Sequence, residues 1–311
     1  MYKRQTRCVP LIQQFINEGH DVVIGADGKP LAFLKEQFPK LEFLTLPGYE
    51  VTYGKKGSSL KLFCESIKFA GFVKKEKKHL DEILSNHYFD LIVSDNRYGI
   101  YSDKIESIIV THQVYPKTPF GEGLAHQRIK KLLSKFNEVW IPDHEGENNL
   151  SGELSHAAPI ALEHKFIGPL SRFDKSASSP IIEYDLCAIL SGPEPQRTIF
   201  EEKILEQIEL HKLNAVVVRG LPGSDEKSDA NVFNHLNTVQ LQDYILKSKL
   251  VVCRSGYSSI MDLTVLQKEA ILVPTPGQTE QIYLAEYHKA NPQFGIQQQE
   301  ELDLKGYLVK L

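Results

Sequence analysis

The chain of 311 residues contains no run of apolar residues near the roughly 18 that a membrane-spanning helix needs. Cysteine is scarce: Cys8, Cys64, Cys187 and Cys253 are far apart and form no CxxC pair, which excludes a zinc knuckle or a dithiol redox motif. Three of the four sit in apolar runs, where they are expected as small buried hydrophobes in a reducing compartment. Positive charge is not in excess. Lysine and arginine total 36 against 40 acidic residues, a net charge of -4, which excludes a nucleic-acid binder resting on overall basicity. No secretory leader pattern opens the chain: Met1–Arg7 is basic, but the apolar stretch after it is broken by Pro10, Gln13 and Gln14. Internal repeats and low-complexity tracts are missing. So is metal-ligand spacing, since His144, His156 and His164 are separated by loops; no metal site is expected.

What is present reads as an ordinary globular composition, 41% hydrophobic and 24% charged, long enough for two domains. Strand-like runs at Asp21–Gly25, Glu42–Leu46, Leu91–Ser94, Ser107–Thr111 and Glu138–Ile141 alternate with helical runs at Pro10–Glu18, Lys29–Gln37, Leu60–Leu84 and Leu124–Lys135. The second half repeats the pattern. Its strands are expected at Asp185–Leu190, Ala215–Arg219, Thr238–Gln240, Leu250–Cys253 and Ala270–Val273. Its helices are expected at Thr198–His211, Leu241–Ser248, Ser258–Leu266 and Glu280–Ala290. Such alternation predicts an α/β fold of mostly parallel sheets covered on both faces. The serine-rich segment "SRFDKSASSPIIEYD" reads as a linker, dividing the chain into domains at 1–168 and 183–311 joined by 169–182. The first domain opens on a helix where a doubly wound sheet normally opens on a strand. A strand and its turn are therefore expected upstream, with Met1–Gln5 foreign to the native sequence.

Three turns in the second half each follow a strand, where open α/β sheets bind ligands. "SGPEPQRT" (191–198) is a loop fixed by two prolines and a glycine, with Ser191, Gly192 and Arg197 at a helix start suited to an anion. Its plain structural reading is a rigid turn with Thr198 and Glu201 as a capping box. "VVCRSGYSSIMDL" (251–263) passes from strand to helix through Arg254, Ser255 and Gly256. Ser258 or Ser259 is suited to cap the helix, and Asp262 lies one or two turns in. The plain readings are a surface ion pair for Arg254 and a dipole contact for Asp262. "LVPTPGQTEQIYLAEYH" (272–288) has a loop with Gly277, then Glu280 and Gln281 opening a helix; a carboxylate there can accept ribose hydroxyls. Three such turns together favour a ligand bearing phosphate and ribose.

The wording of "CRSGYSSIMDL" followed by "ILVPTPGQTEQIYLA" resembles the nucleotide-sugar-binding half of glycosyltransferase family 28, the group containing the peptidoglycan N-acetylglucosaminyltransferase. "FIGPLSRF" and "LSGPEPQRT" resemble segments of a bacterial branch of that group. The resemblance covers most of the chain, more closely in the C-terminal half. It implies the GT-B architecture of two Rossmann-like domains facing a cleft. It also implies an inverting, metal-independent transfer of a hexose or N-acetylhexosamine from a UDP-sugar to an acceptor hydroxyl, with no cofactor beyond the donor substrate. Carried over by position, Asp262 falls where the family places a glutamate that binds the ribose hydroxyls. Glu280 and Gln281 match the pair contacting the donor sugar. Ser191, Gly192 and Arg197 fall in the diphosphate loop, which lacks the family's double glycine. Arg172 matches an arginine near the donor phosphates, and backbone groups around Val239 to Leu241 would read the uracil edge.

In the first half, "TRCVPLI" resembles the helix after the family's glycine-rich loop, whose glycines and histidine are absent here. "SDNRYG" (94–99) and "THQVYP" (111–116) follow strands and supply Asp95 and His112 as candidates for the base that an inverting transfer needs. An ordinary turn and a hydrogen-bonded strand-end histidine are the competing readings. "VKKEKKHL" (73–80), beside aromatic residues, is a basic helix suited to peripheral contact with an anionic membrane bearing a lipid-linked or glycan acceptor; a solvated helix face over a packed one is the stronger reading. The expected place is the cytoplasm, at the inner face of the cell membrane. Two further functions remain open: a UDP-sugar hydrolase or epimerase on the same fold, and a non-catalytic nucleotide-sugar-binding subunit.

Overall fold

A computed structural model describes residues 5–48, 59–119, 121–174, 181–221 and 230–309. All but Gln5 of the expected foreign segment Met1–Gln5, and 175–180 of the expected linker, lie outside them. The chain divides into two compact units, Leu11–Pro169 and Leu170–Leu311, the second joined by Met1–Pro10.

In the N-terminal unit, α1 (Cys8–Asn17) leads to β1 (Val23–Ala26), α2 (Gly28–Gln37), β2 (Glu42–Thr45), the long α3 (Ser59–Leu84), β3 (Leu91–Asp95) and β4 (Glu106–Val110). There follow α4 (Glu122–Leu133), β5 (Glu138–Ile141), the single turn α5 (Glu153–His156) and β6 (His164–Phe166). The strands form a parallel pair, β1-β2, and a parallel four-stranded sheet in the order β3-β4-β5-β6. One face of that sheet builds a core from Tyr98, Ile109, Val139 and Ile141 with Leu133 and Phe136. Phe69 and Val73 of α3 pack against this core, and Leu80 joins a second cluster with Leu46, Ile92 and Ile100. Lys74, Lys75 and Lys78 point to solvent while Glu76 is buried. The aromatic residues described beside the lysines are engaged within the unit: Phe69 packs edge-on to Tyr98 and Phe72 lies under Arg97. Among the described residues of α3, a membrane reading therefore draws on the lysines.

The C-terminal unit contains β7 (Tyr184–Ile189), α6 (Gln196–His211), β8 (Ala215–Val218), β9 (Val232–Phe233), α7 (Thr238–Lys247), β10 (Ser248–Cys253), α8 (Tyr257–Val265), β11 (Ala270–Leu272), α9 (Thr279–Tyr287), β12 (Phe294–Ile296) and α10 (Leu304–Leu308). Its six parallel strands run in the order β12-β11-β10-β7-β8-β9. Consecutive residues of β7 and β10 are buried on both faces, Leu186, Cys187 and Ala188 beside Leu250, Val251 and Val252, as helices on both sides of a parallel sheet require. Phe200 and Ile204 of α6 and Leu302 and Leu304 near the end of the chain close one side.

One expected strand is a helix. Thr238–Gln240 is the first turn of α7, fixed by a capping box: the Asn237 side chain accepts from the Gln240 N–H, and the Gln240 side chain accepts from the Asn237 N–H. Two reciprocal bonds satisfy donors that the helix start would otherwise orphan, and they outweigh the extended preference of Thr238 and Val239. Among the described residues, no helix is long and apolar enough to cross a membrane.

Candidate functional site

The order of the C-terminal sheet has one reversal. From β7 the chain builds outward to β8 and β9 on one side, and through β10, β11 and β12 on the other. Such a switch point opens a crevice outside the carboxyl ends of the two strands flanking it, here β7 and β10. The three turns singled out by sequence leave β7, β10 and β11, three neighbouring strands.

Gln281 ties two of these turns together. Its carbonyl accepts from the Ser255 hydroxyl at 2.8 Å, and its side-chain oxygen accepts from the Thr275 N–H at 2.8 Å. Its amide nitrogen donates to the Gln278 side chain at 2.5 Å. Gly277 and Gly192 have φ of 80° and 120°, a region that L side chains rarely adopt. Gly256 differs: with φ of -81° it is the N-cap of α8, and a side chain there would meet open space. Its contribution is bareness beside the helix start. Ser258 and Ser259 are buried and neither caps α8, because an N-cap hydroxyl must come from the residue before the first turn.

The two arginines of this region face inward. Arg254 is 1% exposed, so the surface ion pair is corrected. Its guanidinium lies 4.0 Å over the Phe200 ring and donates to the Gln196 carbonyl at 2.8 Å, the Gln299 side chain at 2.5 Å and the Pro274 carbonyl at 3.3 Å. Those partners are the start of α6, the 299–301 turn and the end of β11, so one buried cation links all three. Burial pushes its pKa down to about 10, which leaves it charged at neutral pH. Arg197 is gripped by Glu194 and Glu201 and donates to the Thr198 hydroxyl at 2.8 Å. Glu201 also pairs with Arg219 at 2.6 Å. The expected capping box of Thr198 and Glu201 is thus replaced: Pro195 is the N-cap, and the Thr198 N–H and hydroxyl both donate to Glu194. Ser191 and Gly192 remain partly exposed at the tip of β7.

Asp262, in the second turn of α8, accepts the Ser171 hydroxyl at 2.7 Å. Arg172 follows at once, its guanidinium 5.1 Å from the Phe173 ring. Asp174 and Gln242 exchange two bonds, Asp174 N–H to the Gln242 side chain at 3.1 Å and back to the Asp174 carbonyl at 2.9 Å. The segment 171–174 is therefore strapped to α7 and α8. Glu280 sits in the first turn of α9, half-buried.

In the N-terminal unit, Asp95 ends β3 opposite Val110 of β4, two residues before His112. The two candidates thus occupy adjoining carboxyl ends of the sheet, Asp95 half-buried and His112 buried. Between them Asn96, at φ of 55°, accepts from the Thr111 and Tyr98 hydroxyls, each at 3.1 Å. Two clusters were not singled out by sequence. Arg97 joins Asp27 at 3.0 Å and the buried Glu76 at 2.8 Å. Glu76 also accepts the Gly99 N–H at 3.0 Å, and its pKa is raised by burial, with Arg97 opposing. Asp143, fully buried beyond β5, accepts the N–H groups of His144, Leu150 and Ser151 and the Ser151 hydroxyl. Ser151 touches Ser155, which bonds His156 Nδ1 at 3.0 Å. Among the described residues, no three His, Cys, Asp or Glu side chains converge as a metal site would need.

Residues 196–308 match the model of the glycosyltransferase family 28 C-terminal domain. No curated protein matches the chain. Among solved structures, Arabidopsis thaliana UGT89C1 complexed with UDP-L-rhamnose superposes with a TM-score of 0.60 at 12% identity, covering 98% of this chain and 85% of that one. The spinosyn rhamnosyltransferase SpnG complexed with thymidine diphosphate gives 0.62 at 12% identity, covering 95% and 84%. MurG of Acinetobacter baumannii gives 0.53 at 10% identity, covering 99% and 85%. At such identities the likeness concerns the fold, and that fold is GT-B. The chain resembles glycosyltransferase family 28 and is a glycosyltransferase.

Within this glycosyltransferase, the matched stretch contains Arg197 and every candidate from Arg254 to Gln281. Arg172, Ser191 and Gly192 precede it, although the structure gathers them into the same unit. Asp95 and His112 belong to the other unit, whose fold is matched by the superposed structures.

Proposed function

We propose that this glycosyltransferase takes its sugar from a UDP-sugar, inverts the anomeric centre and works without a metal ion. The observation that carries the reading is the convergence of the β7, β10 and β11 turns at the switch point, tied by Gln281 and by the buried Arg254. The starts of α6, α8 and α9 bring the positive ends of three helix dipoles to those turns. There they would offset the charge that builds on the leaving diphosphate, the part a metal ion plays elsewhere. Bare backbone at Gly192 and Gly256 admits the diphosphate, Asp262 holds the ribose, and Glu280 with Gln281 meets the sugar. UGT89C1 with UDP-L-rhamnose is a fold relative that carries such a donor.

The N-terminal unit would hold the acceptor. Its hydroxyl attacks the anomeric carbon from the face opposite the diphosphate, the hydroxyl proton passes to Asp95 or His112, and UDP leaves with the bonding electron pair. The test is a binding screen of UDP, GDP and dTDP followed by two variants. Asp262→Ala should weaken UDP binding by about tenfold or more, as loss of a charged hydrogen-bond acceptor implies, while Asp95→Ala leaves it unchanged. Equal losses would undo the division between donor and acceptor residues. Free sugar released at full rate without an acceptor would instead mark a hydrolase.

A further inference from the structure

We infer that Ser171 is a positioning residue that aims the Asp262 carboxylate at the nucleotide ribose and sets the preference for a ribonucleotide donor. This rests on the proposed role of Asp262 in holding the ribose. Asp262 is one methylene shorter than the glutamate expected at its place, and a short side chain on a helix has to be aimed rather than extended. The structure shows what aims it. The Ser171 oxygen accepts the Phe173 N–H at 3.1 Å, closing a tight turn around Arg172. That N–H brings its own hydrogen, so the hydroxyl proton of Ser171 is left to donate, and it points to Asp262 Oδ1 at 2.7 Å. The direction of this bond is fixed by the proton count.

Three features make the contact a device rather than a chance approach. Ser171 and Asp262 lie 91 positions apart in sequence, so the bond joins the strap after Pro169 to the second turn of α8. The strap is itself anchored three residues after Ser171 by the reciprocal pair between Asp174 and Gln242. This holds the serine without help from Asp262. Finally, the same oxygen shapes the turn that carries Arg172, whose guanidinium sits against Phe173. One hydroxyl thus orients the carboxylate read as the ribose ligand and the arginine read as a phosphate neighbour. A bond to Oδ1 restricts how the carboxylate can turn, and with it the directions of its acceptor lone pairs.

The test compares UDP with 2′,3′-dideoxyuridine diphosphate by calorimetry on the full chain. The wild-type protein should bind UDP about tenfold or more tightly than the dideoxy analogue, the discrimination that one charge-assisted bond gives. Ser171→Ala should lose most of that ratio through weaker UDP binding, with dideoxy binding little changed. Ser171→Thr, which keeps the hydroxyl, should retain it. In an Asp262→Asn background, Ser171→Ala should change the ratio no further. Thermal melts of each variant report folding separately. If Ser171→Ala keeps the wild-type ratio, or weakens both nucleotides equally, the proposal is overturned while the ribose reading stands. If the wild-type protein binds both nucleotides alike, the ribose reading falls and the proposal falls with it.

Discussion

Replacing Arg254 with methionine separates two roles for the most deeply buried cation of the site. The sequence placed Arg254 among residues touching the donor, whereas the structure gives it internal partners. Its short bonds to the Gln196 carbonyl and the Gln299 side chain contribute about 3 kcal/mol together at the lower end for charged donors. The ring contact with Phe200 at 4.0 Å adds about 2 kcal/mol when desolvated. Against these stands the cost of burying the charge. The pKa of about 10, against the ordinary arginine range, corresponds to about 3 kcal/mol. Because folding lowers this pKa, the unfolded chain holds the proton more tightly. The cost is therefore fully present at neutral pH and is relieved only above about pH 10. Methionine lifts that cost and loses both contributions, with the acceptors at Gln196, Gln299 and Pro274 all losing this donor. The expected net loss is about 2 kcal/mol, read as a fall of about 4–8 °C in the melting temperature of a unit of this size. Urea unfolding near neutral pH, with and without UDP, is the assay. UDP should still bind the folded variant, weakened because the α6 start and the β11 end are no longer tied. A variant as stable as wild type that has lost all UDP binding would refute this reasoning and return Arg254 to the donor.

Gly99→Ala should lose about 1–3 kcal/mol by overpacking, because the new carbon would lie 2.3 Å from the Val73 carbonyl oxygen. Gly71→Ala on α3, the helix that carries Val73, meets nothing within 4 Å and should gain up to about 1 kcal/mol from helix propensity; paired thermal melts check both. Glu76→Gln should match wild type at acid pH and be the more stable of the two at neutral pH, because burial makes the charge that it removes unfavourable despite Arg97. Burial raises the folded pKa of Glu76, so the folded state holds its proton more tightly. Stability from this group is therefore present below the ordinary glutamate pKa and lost as pH rises through the raised value. The difference in stability between wild type and Glu76→Gln, followed by urea titration from acid to neutral pH, should show that slope.

The alternation of strands and helices was legible because long apolar runs in parallel sheets carry a strong signal. In the C-terminal unit the strands expected at Asp185–Leu190 and Ala270–Val273 lie within one residue of those observed. What escaped was short or reciprocal. Segments β6, β9 and β12 have three residues or fewer, too few for a period to show. The Asn237–Gln240 capping box was written in the sequence, but its β-branched neighbours read as a strand. The three turns of the C-terminal sheet were legible as places, since glycine, proline and hydroxyl residues between a strand and a helix mark a special backbone. The direction of an arginine side chain was not. Arg197 and Arg254 look alike in sequence to a phosphate ligand, and only the positions of Glu194, Glu201, Gln299 and Phe200 reveal that they brace the loops. The same holds for Ser171, whose partner is far away along the chain, and for Glu76, hidden in a run of lysines.

The central claim is that the C-terminal unit binds a UDP-sugar without a metal ion, and the melting temperature in UDP with EDTA present tests it most directly. At about one hundred times its dissociation constant, UDP should stabilise the protein by about 2.7 kcal/mol, a rise of about 5–10 °C, with magnesium adding nothing. No shift at millimolar UDP, or a shift that appears only when magnesium is supplied, would contradict the account.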